Sequence, residues 1–159
     1  MNLAETVILL HGIGHTSIHM QGVERALKAQ GYIVFNVTYP SLQMDIESLA
    51  RWLDDKLNTL NIWTVSDKVH FVTHSMGGLV CGCYLEHALT SIPKHKMGRV
   101  VMLGTPHGGS EIADKLKNFW LYKIIFGPAG QQLTTDARIT RQSIPKYELG
   151  IIAGTKNWL

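Results

Sequence analysis

The sequence predicts an α/β protein, a mainly parallel sheet of about five strands with helices on both faces. Three observations carry that expectation. Short β-rich apolar runs recur along the chain, amphipathic helical segments separate them, and glycine-rich turns stand where several of the runs end. Strands alternating with helices at this spacing form βαβ units, whose crossovers make neighbouring strands parallel.

The first element is Thr6 to Leu10, a continuous apolar run that opens into His11-Gly12-Ile13-Gly14-His15. An unbroken run of this kind reads as a strand buried on both faces. A helix follows from about Ile18 to Gln30, with Met20, Val23 and Leu27 on one face and Gly31 as its stop. The second strand is Tyr32 to Val37, closed by Tyr39-Pro40. From Asp45 to Leu60 the apolar residues Ile46, Leu49, Ala50, Leu53, Leu57 and Leu60 keep helical spacing, and the other face is charged.

The third strand, Val69 to Thr73, runs into His74-Ser75-Met76-Gly77-Gly78 and an apolar helix reaching about Leu89. A fourth, Arg99 to Leu103, precedes Gly104-Thr105-Pro106-His107-Gly108-Gly109-Ser110. From there to about Pro145 the pattern is mostly helical, and a last strand spans Tyr147 to Ala153.

Composition bounds the answer. The chain has 159 residues, 45% hydrophobic and 17% charged, the profile of one globular domain with a sizeable core. Its net charge is +3 and its 15 Lys and Arg residues are scattered, so a nucleic-acid partner is not expected. No run approaches the roughly 18 apolar residues of a membrane span. Nor does the start carry the pattern of a signal peptide, which places the protein in the cytoplasm by default. Cys81 and Cys83 sit two apart on a helix and point in different directions, so a disulfide between them is not expected. With His87 they make no familiar ligand set, and we expect neither a metal nor a cofactor.

The segment Thr73-His74-Ser75-Met76-Gly77 carries the chemistry. A serine hydroxyl is a weak nucleophile until it is offered to a base and its oxyanion product is held by N–H donors. A sharp strand-to-helix turn achieves both, because it lifts Ser75 above the sheet and puts the Met76 N–H at a helix N-terminus. The alternative reading is a serine that caps an ordinary helix.

This segment resembles the nucleophile elbow of α/β-hydrolases, written G-x-S-x-G, with Thr73 in place of the first glycine. His11-Gly12-Ile13-Gly14-His15 resembles the oxyanion loop of lipase-like members. By that resemblance the Ile13 and Met76 backbone N–H groups form the oxyanion hole, while His11 and His15 are hydrogen-bonded loop residues. Gly104-Thr105-Pro106-His107-Gly108-Gly109-Ser110 resembles the segment after the next strand in bacterial triacylglycerol lipases.

The resemblance implies a single α/β-hydrolase domain over residues 1–159, acting as a serine hydrolase on small carboxylic esters with Ser75 as nucleophile. The apolar stretch Asn118 to Phe126 stands where hydrolases insert a cap, so 110–145 reads as a cap or lid, with Trp120 and His107 as substrate-binding residues. The same stretch also fits a helix packed on the core.

Family triads follow the order serine, acid, histidine, yet no histidine follows His107. His74 and His70 are expected to face away from Ser75. The simplest expectation is a chain that lacks its C-terminal acid and base, is nearly inactive alone, and presents an apolar sheet edge near Gly150 to Ala153 prone to self-association. Two rival readings stay open: a non-catalytic module that binds an acyl ligand or a protein, and an acyltransferase.

Overall fold

The computed structural model describes residues 4–105 and 146–153. Their strands are β1 (Thr6–Leu10), β2 (Ile33–Val37), β3 (Val69–His74), β4 (Met97–Leu103) and β5 (Glu148–Ile152). All four pairings are parallel, in the order β2-β1-β3-β4-β5. The expected five-strand parallel sheet is therefore present.

β1 explains how the layers assemble. Its side chains alternate between the two faces of the sheet, so Ile8 and Leu10 enter one cluster while Val7 and Leu9 enter the other. The first cluster is the main core, built with α2 (Ile46–Thr59) and α4 (Met76–Ala88). The second is smaller and is closed by Met20, Val23 and Leu27, from a 3₁₀ turn (Ser17–Met20) and the helix α1 (Gln21–Ala29) that follows it. Both faces of β1 are thus covered, and all five of its residues are buried, as an uninterrupted apolar run requires.

α2 keeps the spacing read from its sequence. Leu49, Ala50, Leu53 and Leu57 are its buried residues, and burial of one leucine contributes roughly 2 kcal/mol. The helix starts at Asp45, whose carboxylate accepts the Ser48 N–H at 2.7 Å. α4 packs on α2 and buries Val80, Cys81, Tyr84 and Leu85. Both cysteines are free, Cys81 buried and Cys83 half-buried.

The structure departs from the sequence reading in two places. The single helix expected from Ile18 begins instead as a 3₁₀ turn, which the apolar spacing alone does not distinguish from α. A short α3 (Ile62–Val65) was not expected, since four residues hold barely one turn and show no period. Asn61, at φ 51°, turns the chain into it.

β5 is one of the two edges of the sheet among the described residues, with Ile151 51% and Ile152 62% exposed. No helix of the described residues is long and apolar enough to cross a membrane. The cap expected at 110–145 lies outside the described residues.

Candidate active site

From β1 the chain steps outward to β2, then crosses back to β3 on the other side of β1. Strand order reverses between β1 and β3, and in open α/β sheets the crevice beyond the C-terminal ends at such a reversal is the place for a ligand. Two segments meet there. One is His11 to His15 after β1, and the other is His74-Ser75, the last residue of β3 and the corner that leads into α4.

Ser75 occupies the corner with φ 51° and ψ −121°. A non-glycine residue held in such a conformation stores about 1–3 kcal/mol and persists only where its surroundings enforce it. Here the neighbours do so. The Ser75 N–H donates to the Leu103 carbonyl at 2.9 Å, and the Ser75 carbonyl accepts the Gly78 N–H at 3.0 Å.

Gly77 sets how close the helix can come. A β-carbon at Gly77 would lie 2.7 Å from the Leu10 carbonyl oxygen and 2.8 Å from that of His11, so only glycine lets α4 start against β1. Gly78 does the same toward Thr105, whose hydroxyl is buried without a hydrogen-bond partner among the described residues. Thr73, which stands where the elbow pattern has glycine, is fully buried, and the turn forms around it.

The loop after β1 abuts this corner, because a β-carbon on Gly12 would sit 3.4 Å from the Ser75 β-carbon and 2.9 Å from His74 Nδ1. The Gly12 carbonyl accepts the His15 N–H at 3.2 Å, closing a turn through Gly14 at φ 66°. The Gly14 N–H donates to Ser41 Oγ at 3.0 Å.

His11 lies beneath the loop, fully buried. Its ring stacks on Tyr39 with centroids 4.2 Å apart. Its Nε2 accepts the Tyr39 N–H at 3.3 Å, so the ring proton resides on Nδ1 and is donated to the Gly12 carbonyl at 2.7 Å. Burial holds its pKa below the ordinary histidine value, which favours this neutral form.

Ile13 is half-buried against the main core, and Met76 is buried. Neither backbone N–H finds an acceptor among the described residues. For Met76 that follows from its place at the first position of α4, where amide donors have no intrahelical acceptor.

The other histidines divide by location. His74, His15 and His19 form a partly exposed row at the rim, with ring centroids 4.0 Å apart for His15 and His19 and 6.1 Å for His15 and His74. His70 lies at the far end of β3, where its Nδ1 accepts the Arg99 N–H at 3.0 Å and Glu5 takes its Nε2 proton at 3.3 Å. No hydrogen bond joins His70 or His74 to Ser75. His107 and Trp120 lie outside the described residues. No group of three or more potential metal ligands is found among the described residues.

Sequence reasoning did not find Tyr39 and Ser41, the residues that brace the loop from the end of β2. Their only signal is the turn at Tyr39-Pro40-Ser41, which says nothing of a partner many residues upstream.

Comparison with solved structures identifies the same fold. A lipase from Bacillus licheniformis, in its propeptide form, is 24% identical with a TM-score of 0.62, over 98% of this chain and 36% of the lipase. Its mature form is 23% identical with a TM-score of 0.58, over 92% and 65%. An extracellular α/β-hydrolase from a Paenibacillus species is 17% identical with a TM-score of 0.58, over 74% and 50%. The chain thus spans less than two thirds of the length of each of these proteins. The family model described as a domain of unknown function, DUF7379, matches residues 2–126. This chain, with its α/β-hydrolase fold, belongs to the DUF7379 family.

Proposed function

We propose that the chain is the nucleophile-bearing part of a serine hydrolase of carboxylic esters, with Ser75 as nucleophile and the Ile13 and Met76 N–H groups as oxyanion donors. One observation carries this reading above the others. Ser75 stands at the N-cap of α4 yet makes no capping hydrogen bond, and its backbone is held in a strained conformation that an ordinary cap does not need. Strain kept at the strand-order reversal, beside a glycine loop, fits presentation of a hydroxyl to a ligand.

In this reading Ser75 Oγ bonds to the ester carbonyl carbon as the carbonyl π pair moves onto oxygen. Two amide donors on that oxygen stabilise it, each worth on the order of 10²- to 10³-fold in rate. Collapse breaks the bond to the alcohol oxygen, which leaves with the proton taken from Ser75. Water then releases the acid by the same route and restores the hydroxyl.

The proton transfers require an imidazole base, and no histidine side chain among the described residues is hydrogen-bonded to Ser75. We therefore expect weak turnover from this chain alone, of the order left to triad enzymes without their base, roughly 10³- to 10⁴-fold above water.

A fluorophosphonate probe tests the reading, with the modified peptide located by mass spectrometry. We expect adduct on Ser75 and none in Ser75→Ala. Equal labelling of both proteins removes Ser75 as nucleophile, and labelling of neither leaves a hydrolase fold that binds without chemistry.

A further inference from the structure

We infer that Tyr39 is a positioning residue for the oxyanion loop: it holds the His11 imidazole, and the imidazole fixes the Gly12–Ile13 peptide with its N–H turned toward the ligand crevice. This rests on the hydrolase reading above and adds to it the device that keeps the hole formed without ligand.

The argument begins with the peptide group. It is planar and trans, so the Gly12 carbonyl and the Ile13 N–H point in opposite directions. Two donors hold that carbonyl: His11 Nδ1 at 2.7 Å and the His15 N–H at 3.2 Å. The Ile13 N–H is consequently directed away from the buried imidazole, and it has no acceptor among the described residues. Rotation of this peptide would break both hydrogen bonds and put a carbonyl where the donor stands.

The imidazole serves this purpose in one tautomer only. With the proton on Nε2, a lone pair would face the Gly12 carbonyl and repel it. Tyr39 selects the other tautomer, because its backbone N–H needs an acceptor at Nε2. It then fixes the ring in place by stacking at 4.2 Å with planes 13° apart. A third contact ties the same two residues, for the Tyr39 hydroxyl donates to the His11 carbonyl at 2.6 Å. Ser41, two residues on, holds the far side of the loop at Gly14. The turn after β2 is therefore the brace of the turn after β1.

Three variants and one spectroscopic measurement on the full chain test this. ¹⁵N NMR of the histidine rings is expected to find the His11 proton on Nδ1, and a proton on Nε2 overturns the proposal. His11→Leu is expected to slow fluorophosphonate inactivation by about 10²-fold, the loss typical of one oxyanion donor, without weakening reversible binding of the probe. His11→Asn, which returns an N–H donor near the Nδ1 position, should recover most of that loss. Tyr39→Phe keeps the ring and backbone N–H and should cost about threefold. Wild-type inactivation rates in Tyr39→Phe and a folded His11→Leu overturn the proposal. If His11→Leu does not fold, Tyr39→Phe and the tautomer decide it. Should Ser75→Ala label like wild type, the nucleophile assignment fails. The clamp is then judged by the tautomer and by the Ile13 amide resonance, which Tyr39→Phe must shift.

Discussion

Two helices begin near the same end of the sheet, and they begin in opposite ways. α2 starts with an extended Asp45 whose carboxylate takes the Ser48 N–H at 2.7 Å. α4 starts with a strained Ser75 whose side chain makes no capping hydrogen bond, and the Met76 N–H behind it has no acceptor among the described residues. A helix start is a cluster of unsatisfied donors with a positive dipole end, and a protein built only for stability fills it. The contrast teaches where this molecule gives up stability. It does so at α4, at the corner where, under the proposed function, a substrate oxygen would complete the hydrogen bonding.

Substitutions at the two starts sharpen the contrast. Gly77→Ala has the largest expected effect, since its β-carbon meets backbone rather than a movable side chain. Thermal unfolding should report a loss of about 3 kcal/mol, together with lost labelling of Ser75, because α4 must shift away from β1. An unchanged midpoint would mean that α4 does not pack as closely as described.

Asp45→Ala should cost about 1 kcal/mol at neutral pH and leave labelling alone. Hydrogen bonds from Ser48 hold the Asp45 carboxyl below its ordinary value of 3.8 in the folded state. Its contribution is accordingly complete above the unfolded value and disappears as pH falls through the folded one. The difference between Asp45→Ala and wild type should therefore narrow below about pH 4. A gap that stays constant down to pH 2 would contradict the capping role.

Ser75→Gly is expected to act in the opposite direction. Glycine adopts a positive φ without penalty, so relief of strain should raise stability by about 1 kcal/mol while labelling is lost. A destabilised Ser75→Gly would indicate that the corner is relaxed, and the contrast with α2 would disappear.

Much of this was legible in the sequence. β1 and β3 are short apolar runs that end in glycine or serine turns, and α2 repeats its apolar residues over four turns, so local pattern and final environment agree. The corner at Ser75 was legible because few residues suit so tight a turn, and Gly77 stands where the approach to β1 demands it. What stayed hidden depends on contacts between distant segments. The stacking of His11 on Tyr39 and the hold of Ser41 on Gly14 arise only once β1 and β2 lie side by side. α3 stayed hidden for the opposite reason, being too short to show any period.

The position of β1 carries a consequence for how the chain acquires its shape. The earliest of the described strands ends up flanked on both sides, with Thr6 paired to Ile33 on one edge and to Val69 on the other. A nascent chain that stops short of Val69 leaves one edge of β1 bare, and the corner with its hydroxyl has not yet been made. Refolding must likewise close that long parallel pairing before most of the core can form, which places this topology among the slower folders.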